Sequence, residues 1–492
     1  MIKLRYGRMF RDALDGEHGL DRARLPGLVS RFGLILADVR NRRAAGEYGF
    51  YRLVDQATTV RQIQAFAEGV GQAYDHVLVL GIGGSALGTK ALLNALRRPA
   101  WNEWDDEGRD FFPRLTILEN IDATTVAAAL ERIDPRRVLV NVISKSGGTA
   151  ETMSQYLVVR EWLEQALGSA ASRHLVFTTD PARGALREIA QREHIATLDV
   201  PPEVGGRFSV LSPVGLLPAA LVGIDVEALL AGARLAVERS ESDDLLQNAA
   251  ALYAGLHWAA DTSLGARVHV LMPYTDRLRE FAEWYRQLWA ESLGKRVDRN
   301  GKAVHVGPTP VGAVGATDQH SQVQLFMEGP YDKVITFMTV DDLGVDVPIP
   351  RPPDPSAGSG QAPSTSSGQA PSTSLGQAPS ISSGQALPPD LAYLPGHTLG
   401  ELLRAEYQAT SAALAEMGKM SCTLTLPDLT PATMGEAIMF YQLATGYAGA
   451  WYGIDPFDQP GVELGKRLTY AAMGRPGYET ESREPPSTTD EV

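Results

Sequence analysis

The segment from Ser144 to Thr152 brings hydroxyl side chains, glycines and a predicted helix start together. It reads Ser-Lys-Ser-Gly-Gly-Thr-Ala-Glu-Thr and follows an apolar run. A phosphate dianion needs several hydrogen-bond donors in a concave array, which hydroxyl groups and the unpaired N–H groups of a helix start can supply. An ordinary helix cap would use fewer hydroxyl groups. The pattern therefore favours a phosphate site, and its spacing differs from that of a nucleoside triphosphate loop.

A glycine-rich turn, Gly81 to Ala86, lies between an earlier apolar run and a predicted helix. Glycines at such a turn let a ligand approach the backbone, although a plain tight turn explains them equally well. The turn also fits the Gly-x-Gly-x-x-Ala fingerprint of a dinucleotide site. That site needs an acidic group after the next strand, and Glu103, Asp105 and Asp106 lie outside any strand pattern. The sequence therefore argues against a nucleotide-dependent oxidoreductase.

Arg207 follows two glycines in the segment Gly-Gly-Arg-Phe-Ser, residues 205–209. The glycines let the chain bend, and the guanidinium stays charged at any working pH. A fixed cation of this kind suits an oxyanion that develops during a reaction. A surface arginine after a flexible turn is the more common interpretation of such a segment in isolation.

Gln287 and Glu291 lie four residues apart on a predicted helix, so their side chains share one face. Gly294 is expected to end this helix, which places Glu291 in its last turn. A carboxylate held there could act as a general base. The simpler alternative is a solvated glutamate that pairs with Lys295.

Two later segments carry a histidine and a lysine. In residues 315–321, Thr317 or Asp318 could cap a helix and place His320 in its first turn. In residues 457–466, Pro460 is suited to start a helix with Lys466 on its second turn. A structural histidine and an exposed lysine paired with Glu463 are the default interpretations of each segment alone.

The elements that must position these residues have the pattern of an α/β protein. Short apolar runs alternate with helical spacing, and this alternation predicts parallel sheets covered by helices. The pattern restarts after residue 240, which predicts two such units in tandem. The predicted strands are His76–Leu80, Leu115–Leu118, Val138–Ile143, His174–Thr178, Arg267–Met272 and Lys333–Met338.

The predicted domain organisation follows from these patterns and from a repeat. Gly-Gln-Ala recurs between Pro/Ser/Thr-rich stretches, too polar to bury a core, so we expect a disordered insertion. The predicted parts are a helical segment 1–66, a first subdomain 67–240, a second subdomain 241–421 with the insertion 351–389, a helical segment 422–475 and a flexible tail 476–492.

Composition narrows the classes of function. The chain has 492 residues, 44% of them hydrophobic, and a formal net charge of -14. So acidic a chain is not expected to bind nucleic acid. The longest apolar run, Val210 to Ile224, is short for a membrane span and contains prolines, so no membrane association is expected. The histidines and the single cysteine, Cys422, show no metal-binding spacing, and one cysteine allows no intrachain disulfide, which fits the cytoplasm.

Taken together and in this order, the six motifs resemble the glucose-6-phosphate isomerase family. The resemblance covers most of the chain from about Tyr74 to Leu468, apart from the repeat. It implies an α/β fold of two tandem sugar-isomerase subdomains, each a mainly parallel sheet between helices. It also implies reversible isomerisation of glucose 6-phosphate and fructose 6-phosphate, without any cofactor, by a homodimer in which His320 acts in the neighbouring subunit's site.

The resemblance also implies residue roles. Glu291 would carry the proton between C1 and C2, Arg207 would stabilise the enediolate, and His320 and Lys466 would assist ring opening. The residues expected to bind the sugar or its phosphate are Gly84, Ser85, Ser144, Lys145, Ser146, Thr149, Thr152, Gln287 and Gln459. Gly148 stands where many relatives carry Thr, so one hydroxyl of the phosphate loop is missing.

Two alternatives stay open at this point. A sugar-phosphate sensor could use the same fold without catalysis, although Glu291, Arg207, His320 and Lys466 are all present. A wider substrate range that includes mannose 6-phosphate would depend on the shape of the pocket near Gln287 and Thr149.

Overall fold

Two five-stranded sheets and a two-stranded ribbon form the framework of the computed structural model, which describes residues 1–70, 73–351 and 387–479. The strands are β1 Lys3–Arg5, β2 His76–Leu80, β3 Arg114–Leu118, β4 Val138–Ser144, β5 Leu175–Thr179, β6 Ala196–Asp199, β7 Val268–Pro273, β8 Lys295–Val297, β9 Ala303–Val306, β10 Thr309–Gly312, β11 Lys333–Val340 and β12 Ser421–Leu426. The α-helices are α1 Leu25–Ala44, α2 Ala57–Val70, α3 Leu87–Leu96, α4 Ala123–Arg132, α5 Ala150–Leu167, α6 Ala185–Glu193, α7 Pro213–Leu221, α8 Val226–Arg239, α9 Ala249–Leu264, α10 Arg279–Leu293, α11 Val323–Glu328, α12 Leu399–Glu416, α13 Pro431–Tyr452 and α14 Glu463–Ala472. Each strand predicted from an apolar run is present, with ends that differ by at most about two residues.

The first sheet is parallel throughout and has the strand order β3-β2-β4-β5-β6. Its order reverses at β2, because β3 lies on one side of that strand and β4 on the other. Ligands of open parallel sheets bind outside the carboxyl ends of the strands at such a reversal. The glycine turn after β2 and the hydroxyl loop after β4 therefore meet at one edge of this sheet.

The second sheet has the order β1-β12-β11-β7-β10, and only β1 runs antiparallel to its neighbour. Here the order reverses at β7, which is followed by a short 3-10 turn and α10. Helix α10 packs against α3 of the first unit and against α13. The helix that carries Gln287 and Glu291 therefore lies between the two units.

The core between the sheets is built around α13. Its residues from Thr433 to Trp451 are buried on every side, and it packs against α8, α9 and α10. A helix that is apolar all round belongs in the interior of a large protein. This agrees with the prediction of helices in the C-terminal segment and places one of them at the centre of the molecule.

The structure corrects the predicted helical segments at two places. Residues 3–5, predicted as helical, form β1, which pairs with β12 because this pairing buries Ile2 and extends the second sheet. Residues 422–426, predicted as the start of a helical segment, belong to β12, whose six residues are all buried. Alternating Thr and Leu in that run suit a strand covered on both faces. The short strands β6, β8, β9 and β10 were also not predicted.

The predicted insertion 351–389 and tail 476–492 lie almost wholly outside the described residues. The other subdomain boundaries stay predictions. Among the residues that the structure describes, no helix combines the length and apolar character that a bilayer crossing requires.

Candidate active site

The hydroxyl loop lies at the start of α5, an 18-residue helix. Thr149 occupies the N-cap position, but its hydroxyl makes no capping hydrogen bond. Instead its Oγ1 lies 3.0 Å from Oγ of Ser144 and 3.4 Å from Oγ of Ser146. The first N–H groups of a helix have no partner within the helix. Three hydroxyl groups and these N–H groups therefore converge at a helix start, an arrangement that suits an anion, and the ordinary-cap interpretation is wrong for Thr149.

Two further residues predicted for this loop have different surroundings. The Thr152 side chain is 1% exposed, and its hydroxyl has no partner among the described residues. Nζ of Lys145 donates to the carbonyls of Pro202 at 2.5 Å and Val204 at 2.9 Å. Burial lowers the pKa of Lys145. The Lys145 side chain thus ties the hydroxyl loop to the segment that precedes Gly205.

The glycine turn packs directly on the segment that carries Arg207. Gly83 has φ of +57°, which favours glycine. A Cβ atom on Gly84 would lie 2.2 Å from the backbone carbon of Gly206 and 2.7 Å from the amide nitrogen of Arg207. The neighbouring Ser85 is half-buried in a 3-10 turn. Close contact between two backbone segments therefore accounts for Gly84, a reason that the sequence motif did not reveal.

Arg207 is 2% exposed and donates to several groups at once. Nε donates to Oγ of Ser292 at 2.7 Å, and Nη1 donates to Oε1 of Gln459 at 2.6 Å. Nη2 donates to the carbonyls of Pro456 at 2.6 Å and Asp458 at 3.0 Å. Burial lowers the pKa of Arg207, opposed by the nearby carboxylates, but a guanidinium remains charged in proteins. The structure therefore holds a fixed, desolvated cation, and the surface-arginine interpretation is wrong.

Glu291 lies in the last turn of α10, as predicted, with its side chain 21% exposed. Its Oε2 accepts a hydrogen bond of 3.2 Å from Nε2 of Gln287 and lies 3.7 Å from Nη1 of Arg207. Lys295 does not pair with this carboxylate, because its Nζ donates to the backbone carbonyl of Glu291 instead. Oε1 of Gln287 is buried and has no partner in the described part of the chain. An acceptor amide, a carboxylate and a cation thus lie side by side.

Residues 455–459 close this arrangement from the C-terminal part of the chain. Gln459 reaches Arg207, as described, and Asp458 forms an ion pair of 2.9 Å with Lys295. Ser292 and Asp458 had no predicted role, and Lys295 was considered only as a partner of the Glu291 carboxylate, although all three lie within a few residues of predicted site residues. Charge and hydroxyl groups next to predicted site residues were the available signal, but their partners depend on the fold.

His320 and Lys466 do not join this cluster within one chain. His320 is exposed and ends a 3-10 turn rather than lying in the first turn of a helix. Among the described residues its side chain makes no hydrogen bond or ion pair. The reason is local, since the Asp318 carboxylate accepts from the backbone of Val314 at 2.7 Å and from Ser321 at 2.6 Å, which tightens the turn.

Lys466 lies in the first turn of α14 with its side chain 47% exposed. Its Nζ is 2.8 Å from Oε1 of Glu463, so the surface-pair interpretation describes its contacts. Helix α14 has no buried residue.

Comparisons with known proteins find relatives along nearly the whole chain. The profile of the phosphoglucose isomerase family matches residues 48–340 and 401–490. Glucose-6-phosphate isomerase of Rubrobacter xylanophilus is 44% identical over 476 residues, which cover 95% of this chain and 98% of that protein. The same enzyme of Carboxydothermus hydrogenoformans is 40% identical over 484 residues, covering 98% and 97%.

Solved structures agree with the predicted α/β class. A hypothetical protein from Thermus thermophilus has 37% identity and a TM-score of 0.77, with 96% of this chain and 100% of that chain covered. A glucose-6-phosphate isomerase from Chlamydia trachomatis has 21% identity and a TM-score of 0.74, covering 96% and 88%, and shares the fold. With the family profile and two relatives of at least 40% identity matched over nearly their full lengths, the chain belongs to the phosphoglucose isomerase family.

Proposed function

We propose that this chain catalyses the reversible isomerisation of glucose 6-phosphate and fructose 6-phosphate in glycolysis and gluconeogenesis. The observation that carries the proposal is the Glu291 carboxylate, held by Gln287 and 3.7 Å from a fully desolvated arginine. The relatives with this enzyme's name match nearly the whole chain.

The phosphate group binds at the start of α5. Ser144, Ser146 and Thr149 present hydroxyl groups there, and the free N–H groups of the first turn add donors. The buried hydroxyl of Thr152, which has no partner among the described residues, and the backbone of Lys145 add further donors for the phosphate. Gly84, Ser85, Gln287 and Gln459 contact the remainder of the sugar phosphate.

Glu291 moves the proton. It removes the proton from the carbon beside the carbonyl group, and the electron pair of that C–H bond forms the C1=C2 double bond while the carbonyl oxygen becomes negative. Arg207 stabilises this enediolate, because its position is set beforehand by Ser292 and Gln459 and needs no rearrangement. Glu291 then returns the proton to the neighbouring carbon, which lies within reach of the same carboxylate. In this second half of the reaction the proton of the adjacent hydroxyl group passes to the former carbonyl oxygen, so that the adjacent carbon becomes the new carbonyl carbon.

A coupled assay with fructose 6-phosphate tests this proposal. Glucose 6-phosphate formed by the wild-type protein is oxidised by an added dehydrogenase and measured as NADPH. In Glu291→Gln the rate constant kcat should fall by about 10²–10⁴, the usual contribution of a general base, while inhibition by inorganic phosphate is retained. Glu283→Gln, on the same helix but paired with Arg286, is the matched control and should keep its activity.

Two outcomes would redirect the proposal. An inactive but folded wild-type protein that binds sugar phosphates would favour the sensor. Turnover of mannose 6-phosphate by wild-type protein and not by Glu291→Gln would widen the substrate range.

The active form is a homodimer in the cytoplasm, and His320 serves the neighbouring subunit's site. The exposure of His320 and its lack of partners in the described chain support this arrangement. Mixing Glu291→Gln with His320→Gln tests it, since each mixed dimer would contain one site with both residues intact. Random exchange should restore about a quarter of wild-type activity. No recovery in a mixture that demonstrably exchanges subunits would contradict a role in trans.

A further inference from the structure

Lys295 is a lysine with its side chain 6% exposed, next to the last turn of α10. Lysine is rarely buried to this extent unless its ammonium group is paired and hydrogen-bonded. It follows Gly294 and starts β8, so its backbone already belongs to the next element. Its side chain turns back toward the site described above.

The ammonium group of Lys295 joins two segments of the site. Its Nζ donates to the carbonyl of Glu291 at 3.2 Å and to the carbonyl of Asp458 at 2.5 Å. It also lies 2.9 Å from Oδ1 of Asp458. The same Asp458 carbonyl accepts from Nη2 of Arg207 at 3.0 Å. Two cations therefore converge on one peptide oxygen, next to Gln459.

We infer that Lys295 is a positioning residue that clamps the last turn of α10 to residues 455–459, and so sets Glu291 relative to Arg207 and Gln459. The inference rests on the proposed isomerisation, for which this geometry matters. The Glu291 carbonyl is one of the last carbonyls of α10, which have no partner within the helix. A lysine at this end donates a hydrogen bond to such a carbonyl, and its positive charge is stabilised by the negative end of the helix dipole. Lys295 thus acts through other residues and does not touch the Glu291 carboxylate.

The clamp acts on the reacting end of the site and leaves the phosphate end alone. The hydroxyl loop is positioned by α5 and β4 of the first sheet, and its contacts include neither Lys295 nor Asp458. Losing the ammonium group should therefore misplace the base and the cation while ground-state binding persists. Small misplacements of this kind lower kcat far more than affinity.

The variant Lys295→Met keeps the length of the side chain and removes the ammonium group. We expect kcat to fall about ten- to a hundredfold, while KM and the inhibition constant of inorganic phosphate change by less than about threefold. Lys302→Met, at an exposed lysine in the turn that follows β8, is the matched control and should behave as wild type. Wild-type protein is assayed first, because inactivity there contradicts the proposed function rather than the clamp.

Asp458→Asn and the double variant Lys295→Met/Asp458→Asn distinguish a positioning role of Lys295 from a general loss of structural stability. Asp458→Asn keeps the backbone carbonyl and removes the charge, so we expect a smaller loss of kcat. If both residues act through one clamp, the double variant should lose little more than Lys295→Met alone. Three outcomes with an active wild type would each overturn the inference. The first is an unchanged kcat in Lys295→Met, and the second is a double variant whose loss of kcat is the product of the two single losses. The third is a rise in KM and in the phosphate inhibition constant as large as the loss of kcat. If Lys295→Met does not fold, unchanged kcat in Asp458→Asn overturns it, and a selective loss of kcat supports it.

Discussion

Nη1 of Arg207 lies 3.7 Å from Oε2 of Glu291, close enough for a strong electrostatic interaction and too far for a hydrogen bond. The other guanidinium nitrogens are occupied by Ser292 and by the carbonyls of Pro456 and Asp458. Arg207 is therefore held by neutral acceptors. Within the described ranges, Oε1 of Glu291 accepts no hydrogen bond, so the carboxylate has an oxygen available to take a proton. A cation beside a base without a direct bond suits a reaction in which negative charge develops on the substrate.

Arg207→Lys should show whether this geometry, rather than charge alone, supports turnover. Lysine keeps the charge but cannot donate to Ser292, Gln459 and two carbonyls at once. We expect kcat to fall by about 10²–10³ with a smaller change in KM, as for loss of an oxyanion donor. The exposed Arg296→Lys is the control, and steady-state kinetics with fructose 6-phosphate is the measurement. A change confined to KM would contradict stabilisation of the enediolate.

Thr149→Val tests the hydroxyl group that joins Ser144 and Ser146. The substitution keeps the shape of the side chain and removes one donor to the phosphate dianion. KM and the inhibition constant of inorganic phosphate should both rise about tenfold or more, since hydrogen bonds to charged groups contribute about 1.5–3 kcal/mol. Thr262→Val, whose hydroxyl donates to the Trp258 carbonyl on α9, should leave both constants unchanged. Equal constants in Thr149→Val and wild type would place the phosphate elsewhere.

Gly84→Ala tests the contact between the glycine turn and the arginine segment. The added Cβ meets backbone atoms of Gly206 and Arg207, which cannot move aside as a side chain could. We expect a loss of about 1–3 kcal/mol in the free energy of unfolding and a marked drop in activity. Gly33→Ala, on α1 with nothing within 4 Å of the added atom, should instead stabilise by about 0.5–1 kcal/mol. Urea unfolding measures both, and equal midpoints for Gly84→Ala and wild type would show that the segments can separate.

His257 should make the fold sensitive to acid. It is buried, donates from Nδ1 to the Tyr253 carbonyl at 2.9 Å, and burial lowers its pKa to about 4. The unfolded chain, with a histidine pKa of about 6.5, binds a proton in the window between these values that the folded chain does not. The contribution of neutral His257 to the free energy of unfolding is therefore fully present above about pH 6.5. It decreases by about 3 kcal/mol as the pH falls toward 4.

His257→Gln should flatten that part of the stability curve. Urea unfolding at several pH values between 7.5 and 4 should show a shallower fall than in wild type, even if the variant is less stable at pH 7.5. His305→Asn, at an exposed position with φ of +48°, is the control and should keep the wild-type slope. Parallel curves for His257→Gln and wild type would mean that His257 takes up its proton in the folded state.

Local sequence patterns were sufficient to predict those elements whose structure depends mainly on their own residues. The apolar runs of β2, β4, β7 and β11 stand out because strands covered on both faces cannot carry polar residues in number. Helix geometry places Gln287 and Glu291 on one face of α10, and the hydrogen bond of 3.2 Å between them agrees with this. The concentration of hydroxyl groups at the start of α5 was equally visible, since chain neighbours in a loop stay neighbours after folding.

The sequence by itself therefore determined the fold class, the family and the residues able to do chemistry. Only the tertiary structure decided which of them meet. Arg207 and Gln459 are 252 residues apart in the chain, and their contact depends on packing between whole units rather than on any local preference. Lys295 bonds the backbone of Glu291 rather than its carboxylate, because residues 455–459 offer a second partner. Residues 3–5 form the strand β1 because β12 lies beside them in the folded chain, and this long-range pairing is not visible in the local sequence. The exposure of His320 and Lys466 on a single chain is likewise decided by the tertiary structure.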